Sequence, residues 1–506
     1  MKQLPSGSGA YDAAYEEVME RINSQAAESA NLAKQVISWV AYSKRALTVT
    51  EIQHALAIEP GELDLDQDNI TPVENLVSVC AGLVVVDEGS NIVHLVHYTT
   101  QEYFDRTGKH WFPNAEADIA TACITYLLFK TFQSEPTDEL ALHVQIQSNP
   151  LYVYAALNWG HHARNSFLDD SKLGHLVTDF LENKSGVAAC ARVNYARRNI
   201  TSEGLFQRPI YHSTGLHLAA IFGLDGALQT LLQRGHSPDS RDTLNRTPLM
   251  WAAANDNERS LQVLLETGKV NADSKDAVGR TALMQAARGG HLGVVKQLLE
   301  TGKVDPDSRE DDGRTALFQA AGEGQDDVVK LLLSSDKVDP NSEDCYASTP
   351  ISVAARNGRE QSVKLLLAKE GIRFDSKNKF GHAPIFWAAS KGHFGIVRLL
   401  LEKYLYNDAG VFVCDDDLPK RGGPTNSVKG SVTCDVCTMT IADNETHYHC
   451  EICNLGGFDI CQQCFGFGAS CLNASHKLVK RNMVGMLAEE LHISRRQPIA
   501  SYSVGF

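Results

Sequence analysis

A block of fixed length recurs six times in the middle of the chain, and nothing else in the sequence restricts the fold as tightly. The copies begin Thr214-Gly-Leu-His-Leu-Ala-Ala220, Thr247-Pro-Leu-Met-Trp-Ala-Ala253, Thr281-Ala-Leu-Met-Gln-Ala-Ala287 and Thr315-Ala-Leu-Phe-Gln-Ala-Ala321. Thr349-Pro-Ile-Ser-Val-Ala-Ala355 and Ala383-Pro-Ile-Phe-Trp-Ala-Ala389 follow, with starts 33, 34, 34, 34 and 34 residues apart. A second apolar block follows each start: Leu231-Leu232, Val263-Leu264-Leu265, Leu298-Leu299, Leu331-Leu332-Leu333, Leu365-Leu366-Leu367 and Leu399-Leu400-Leu401. Each copy therefore reads as two short helices. The first is capped by Thr, with Pro or Ala in its first turn. Its Ala-Ala pair lets the second helix approach, and the Val/Leu block supplies the buried stripe. Polar turns such as Asp276-Ala-Val-Gly-Arg280 and Asp311-Asp312-Gly313-Arg314 join successive copies. One such unit cannot bury its apolar face alone, so the copies must stack as an α-solenoid.

These residues resemble the ankyrin repeat, whose Thr-Pro-Leu-His-x-Ala-Ala pattern they follow through residues 206–405. The histidine of that pattern survives as His217, and Met250, Met284, Phe318, Ser352 and Phe386 take its place later. The resemblance implies a protein-binding scaffold. Its expected contact surface is the row of turn tips and first-helix ends: Asp256-Asn257-Glu258, Arg288-Gly289-Gly290, Glu323-Gly324-Gln325 and Arg356-Asn357-Gly358. Trp251 and Trp387 occupy equivalent positions, either as interface anchors or as packing between helices.

The cysteines carry the most specific chemistry. Seven of the 12 fall between Cys434 and Cys471, in the pattern C-x2-C-x12-C-x2-C-x7-C-x2-C-x6-C-x4-H that ends at His476. Zinc takes four thiolate or imidazole ligands in a tetrahedron, and a two-residue gap lets two thiolates reach one ion at about 2.3 Å. Cys434, Cys437, Cys450, Cys453, Cys461, Cys464, Cys471 and His476 provide enough ligands for two closed structural Zn2+ sites. The start of the chain lacks the apolar stretch of a secretory signal, which favours metal over disulfides. Spacing leaves open which pairs share an ion; His447 and His449 are rival nitrogen donors, read here as strand or loop residues.

Cys434-Asp-Val-Cys437, His449-Cys450-Glu-Ile-Cys453, Phe458-Asp459-Ile460-Cys461-Gln-Gln-Cys464 and His476-Lys-Leu resemble a ZZ-type zinc finger. That family interleaves its ligands. The resemblance implies one ion on Cys434, Cys437, Cys461 and Cys464, and a second on Cys450, Cys453, Cys471 and His476. Many relatives end in two histidines, so Cys471 departs from the pattern. Some members capture a peptide N-terminus with two carboxylates, which here would be Asp435 and Asp459. With every position filled by protein, catalytic zinc is not expected.

The first third reads differently. Thr48-Val-Thr-Glu51 is a capping box ahead of Ile52-Gln-His-Ala-Leu56. Thr71-Pro72 opens a helix whose stripe is Val73, Leu76, Val77 and Cys80. Leu83-Val-Val-Val86 and Ile92-Val-His-Leu-Val-His97 form strands across Gly89-Ser-Asn91. Helix, helix, hairpin is a winged-helix order. Residues 46–105 hold eleven Asp or Glu and no Lys or Arg, which argues against phosphate-backbone binding. His94, His97 and Cys80 could be read as catalytic, but no nucleophile motif accompanies them and a packing role is expected.

Trp39-Val-Ala-Tyr42, Leu47-Thr-Val-Thr50, Cys80-Ala-Gly-Leu-Val84 and Val96-His97-Tyr98-Thr99-Thr100-Gln101-Glu102-Tyr103 resemble the winged-helix segment after the NACHT domain of fungal receptor-like ankyrin proteins. Tyr154-Ala-Ala and Trp159-Gly-His-His-Ala163 extend that match. No G-x-x-x-x-G-K-[ST] loop occurs: Gly268-Lys269-Val270 and Gly302-Lys303-Val304 lack the upstream glycine and the hydroxyl. Nucleotide binding is therefore not carried over. The chain reads as a truncated gene model or a natural half-receptor.

The net charge of -15 divides into -12 over residues 1–206, zero over 207–405 and -3 over 406–506. No large block is basic, and no apolar run approaches the about 20 residues of a membrane span. The expected architecture is mainly α. Residues 1–30 are a remnant of the NACHT helical end, 31–110 a winged helix and 111–205 a helical linker domain. Residues 206–405 form six ankyrin repeats, 406–428 a linker, 429–482 the ZZ finger and 483–506 a tail. The expected function is a non-enzymatic adaptor for protein or peptide partners, cytoplasmic or nuclear, without nucleic acid, membrane or nucleotide, in fungal recognition signalling. The alternatives are a RING-like ubiquitin ligase and the C-terminal half of a split receptor.

Overall fold

The computed structural model describes residues 11–59, 61–136, 139–166, 171–199 and 212–405, with short strands between residues 432 and 491. The chain is mainly helical and divides into two units, Met1–Ala277 and Val278–Phe506.

The first unit opens with α1 (Asp12–Asn23) and α2 (Ala27–Tyr42), then β1 (Leu47–Thr48), α3 (Val49–Leu56) and α4 (Val73–Val79). The hairpin β2 (Val84–Asp87) and β3 (Ile92–Leu95) leads into α5 (Tyr98–Trp111). The three strands form one antiparallel sheet in the order β1-β3-β2, with Leu47 opposite Val93 and Val84 opposite Leu95. The capping box forms as the sequence implies: Thr48 Oγ1 accepts from the Glu51 N–H at 3.3 Å, and Glu51 Oε2 accepts from the Thr48 N–H at 2.8 Å. Arg45 donates to both Glu51 oxygens at 2.6 and 2.9 Å, which fixes this buried carboxylate. Cys80 is buried and donates its thiol to Leu76 O; burial pushes that thiol up to about 12. His94 and His97 are exposed, and His97 Nδ1 caps α5 by accepting from the Thr99 N–H. The packing expected of these three residues is met by Cys80 and not by the two histidines.

Helices α6 (Ala115–Leu127), α7 (Glu139–Ser148), α8 (Tyr152–Ser166), α9 (Ser171–Glu182) and α10 (Lys184–Asn199) follow. Their core is aromatic, with Trp159, Tyr126, Tyr152, Tyr154, Phe132 and Phe180 fully buried. The first repeat, α11 (Gly215–Phe222) and α12 (Asp225–Gln233), packs directly on α8 and α9. Trp159 meets Phe222 edge-on at 5.2 Å between ring centroids. Gly160 leaves room for the same phenylalanine. The second repeat comprises α13 (Pro248–Ala254) and α14 (Glu258–Glu266).

The second unit continues with α15 (Ala282–Gly289) and α16 (Leu292–Glu300), α17 (Ala316–Glu323) and α18 (Asp326–Leu333), α19 (Pro350–Arg356) and α20 (Glu360–Leu367), then α21 (Pro384–Ser390) and α22 (Phe394–Leu405). The first helices of successive pairs stack on one another, burying Ala286, Ala287, Ala320, Ala321, Ala354, Ala355 and Ala388. Thr281 and Thr315 cap their helices by accepting from the N–H of Met284 and Phe318 at 3.3 Å.

Two devices recur with the period. A fingertip precedes each first helix of the second unit, where Asp344 Oδ1 accepts from the N–H of Tyr346 and Ser348, and Asn378 Oδ1 from those of Phe380 and His382. Neighbouring fingertips join by single backbone bonds, Asp311 N–H to Val278 O, Cys345 N–H to Asp312 O and Lys379 N–H to Tyr346 O. The second device sits before the second helices of repeats two, four, five and six. Its side chain donates to a carbonyl at the end of the preceding repeat's first helix: Asn257 to Ala220 and Ile221, Gln325 to Arg288, Arg359 to Gly322, and His393 to Arg356.

Among the described residues no helix is long and apolar enough to cross a membrane.

Candidate functional site

The fingertips and first helices of the second unit enclose a groove of about 620 Å³. Its walls begin with an ion-pair ladder. Glu310, nearly fully buried, accepts from Arg280 Nε at 2.7 Å and from Gln319 Nε2 at 2.9 Å. Arg314 lies 3.7 Å from the same carboxylate and 3.8 Å from Asp344, while its guanidinium sits 5.6 Å from the Phe318 ring centroid. Each arginine is therefore held by the acid of its own or the next fingertip. Such buried, hydrogen-bonded pairs fix geometry more than they add stability. Beyond Asp344 the ladder stops, because Ser348 and Asn378 replace the next arginine and acid.

From that point the groove is aromatic. Tyr346 and Phe380 stack at 6.1 Å, both exposed, at 48% and 65%. His382 lies flat on Phe386 at 3.8 Å, and Phe386 meets Trp387 edge-on at 5.4 Å. The exposed Arg356 lies over Trp387, 5.1 Å from the ring centroid.

Several residues expected from sequence meet here: Arg288, Glu323, Arg356, Asn357 and Trp387 all line the groove. Trp251, at the position equivalent to Trp387, does not act the same way. It is 8% exposed and donates its indole N–H to Asp242 at 2.8 Å, so it packs. Asn257 was expected at an exposed tip but is 2% exposed. Arg280, Arg314, Tyr346 and Phe380 were not anticipated. Their sequence signal is the 34-residue spacing of Arg280 and Arg314 and of Tyr346 and Phe380.

Of the residues expected to hold zinc, Cys434, Cys437, Cys453, Cys464, Cys471 and His476 lie outside the described residues, as does Asp435. The backbone around the others is described. Strands β4 (Val432–Thr433) and β5 (Thr440–Ile441) pair, and β6 (Thr446–Cys450), β7 (Phe458–Cys461), β8 (Leu478–Asn482) and β9 (Glu490–Leu491) form a sheet in the order β7-β6-β8-β9. Cys450 stands opposite Phe458 and Cys461 opposite His447, so the two cysteines occupy opposite faces of the sheet. Asp459 pairs with His449. Thr433, just before Cys434, ends a strand that lies beside β7, the strand that ends at Cys461. Cys450 also stands opposite Leu478, two residues past His476. Among the described residues no group of three or more His, Cys, Asp or Glu could hold a metal.

The model for ankyrin repeats matches three overlapping stretches, residues 216–309, 270–344 and 336–411. The chain carries ankyrin repeats. A second model, the winged helix domain of GPI inositol-deacylase, matches residues 19–119, upstream of the ankyrin repeats. Among solved structures, the human ASB11 ankyrin repeat domain is similar at 25% identity, over 39% of this chain and 89% of that one, with a TM-score of 0.35. No curated protein matches the chain significantly. The groove thus lies on ankyrin repeats three to six.

Proposed function

We propose that the chain is a non-enzymatic protein-interaction adaptor whose groove on repeats three to six receives a segment of a partner protein. The observation that carries this reading is the exposed Tyr346–Phe380 stack beside the half-buried Trp387. A contiguous exposed aromatic patch is the informative exception to an ordinary surface, and at interfaces such side chains carry most of the binding. A photo-crosslinking amino acid at Tyr346 should capture a partner in cells, and Trp387→Ala should abolish the capture. Equal capture from Gln262, exposed on the second helix of repeat two, would sink the reading.

The second element of the proposal is a ZZ-type finger with two structural zincs. Seven thiols and an imidazole suit zinc, and when bound the ions would cross-link a segment too small for a core of its own. The placement of Cys450 and Cys461 on opposite faces favours separate ions for them, as interleaving requires. Thr433 ends a strand beside the one that ends at Cys461, and Leu478 pairs with Cys450, which favours the sets Cys434, Cys437, Cys461, Cys464 and Cys450, Cys453, Cys471, His476. Native mass spectrometry of the full chain should find two zincs, with one lost in Cys450→Ser and one in Cys461→Ser. Retention of both in either variant would reject the assignment. Asp435 and Asp459 would then give the finger an acidic contact for a peptide amine. The combination of a winged helix with ankyrin repeats fits a NACHT-type signalling receptor.

A further inference from the structure

The zero net charge of the repeats conceals two adjacent stretches of opposite sign in their C-terminal part. Residues 301–344 hold five basic and twelve acidic residues, a net of -7. Residues 345–405 hold ten basic and four acidic residues, a net of +6. The change of sign falls where the ladder ends and the aromatic wall begins. Before it, Arg280 and Arg314 are committed to Glu310, and Arg288 lies 3.5 Å from Glu323. After it, Arg356 spreads its guanidinium over Trp387, and Lys379 and Lys391 are exposed next to Phe380 and four residues past Trp387.

Resting on the reading of the groove as an interaction surface, we infer that its partner is an extended peptide segment that is acidic at one end and carries an apolar side chain beside its carboxylates. The carboxylates lie over repeats five and six, where Arg356, Lys379 and Lys391 receive them. The apolar side chain sits between Phe380 and Trp387. An arginine stacked on an indole is the least costly cation to bring against a carboxylate. Its face is already desolvated, and its edge keeps the paired N–H groups that match a carboxylate. Nucleic acid fits this surface less well. A phosphate backbone is charged along its whole length, and the groove presents Glu323 and Asp344 to one half of it. A peptide can confine its charge to one end.

Fluorescence polarisation on the full chain tests this with three labelled probes: a short peptide alternating Glu with Phe and Leu, its analogue with Gln for Glu, and an oligothymidylate. The acidic peptide should bind about tenfold or more tighter than either other probe. Arg356→Glu and Trp387→Ala should each weaken it about fivefold or more. Arg398→Glu, an equal charge change on α22, should leave it unchanged. No binding of the acidic peptide, equal binding of the Gln analogue, equal binding of the oligonucleotide, or an Arg356→Glu variant that binds normally would each overturn the inference. Hydrogen exchange separates the two levels. If the Gln analogue binds equally and protects α19 and α21, the groove reading stands and the charge inference falls. If no peptide protects these helices, both fall.

Discussion

The amide oxygen of Asn257 accepts a hydrogen bond from the guanidinium of Arg164 at 2.9 Å, tying the end of α8 to the second repeat. Asn257 also donates to Ala220 O and Ile221 O at 2.8 and 2.9 Å, so one buried amide serves three chain segments. Helices α8 and α9 thereby cover the first repeat as a terminal capping repeat would. Asn257→Ala strips partners from three groups at once and should cost about 2–3 kcal/mol. Chemical denaturation should show a lower midpoint, and a loss under about 0.5 kcal/mol would refute the clamp.

Gly160 offers a coupled test of the same junction. Alanine is favoured over glycine by about 1 kcal/mol inside a helix. A Cβ at this position would stand 2.2 Å from Cγ of Phe222, however, and overpacking costs about 1–3 kcal/mol. The clash should win, and Gly160→Ala should lower the melting temperature. In a Phe222→Ala background the same substitution should become neutral or stabilising. Additive effects would disprove the contact.

Acid should weaken the first unit through His162. Its ring is fully buried, bonded to Glu116 through Nδ1 and to the Tyr154 hydroxyl through Nε2 at 2.8 Å. Burial holds its pKa below the ordinary imidazole value, outweighing the opposite pull of Glu116. The unfolded chain then takes up the proton first. The stabilisation is complete above about pH 6.5 and is lost as pH falls below it towards the folded value. His54 and His161 are lowered by burial too and act in the same direction. A melting temperature that is flat from pH 7 to pH 5 would contradict this.

Ala347 sits at a fingertip with φ of 59°, where the equivalent Gly279, Gly313 and Gly381 have φ near 80°. A side chain costs about 1–2 kcal/mol in the left-handed region, partly offset by the lower chain entropy of alanine. Ala347→Gly should therefore stabilise the second unit by about 0.5–1 kcal/mol. Faster hydrogen exchange in α19 would count against it.

Much of the fold was legible because it rests on local or periodic rules. The capping box at Thr48 and the hairpin around Asn91 need only neighbours in sequence. The stacked helices need only the 34-residue register. The site was harder to read where roles depend on partners far along the chain. Trp251 and Trp387 align, but Asp242 reaches the first indole N–H while position 378 carries an amide. Asn257 has the composition of a turn tip and is buried only because carbonyls 36 and 37 residues earlier come down on it. The arginine ladder leaves a periodic trace at 280 and 314, but the residues alone do not say that Glu310 holds both.

The clamp before the second helices of repeats two, four, five and six has a consequence for how this chain can diverge. Asparagine, glutamine, arginine and histidine all fill it, at 257, 325, 359 and 393, and each delivers an N–H to the same carbonyl position of the preceding repeat, at 221, 288, 322 and 356. What the fold requires there is a donor at the right reach. Drift among these four residue types should be free, whereas leucine, of similar size but without a donor, should break the joint. A position that looks variable in letters is thus constant in hydrogen bonding.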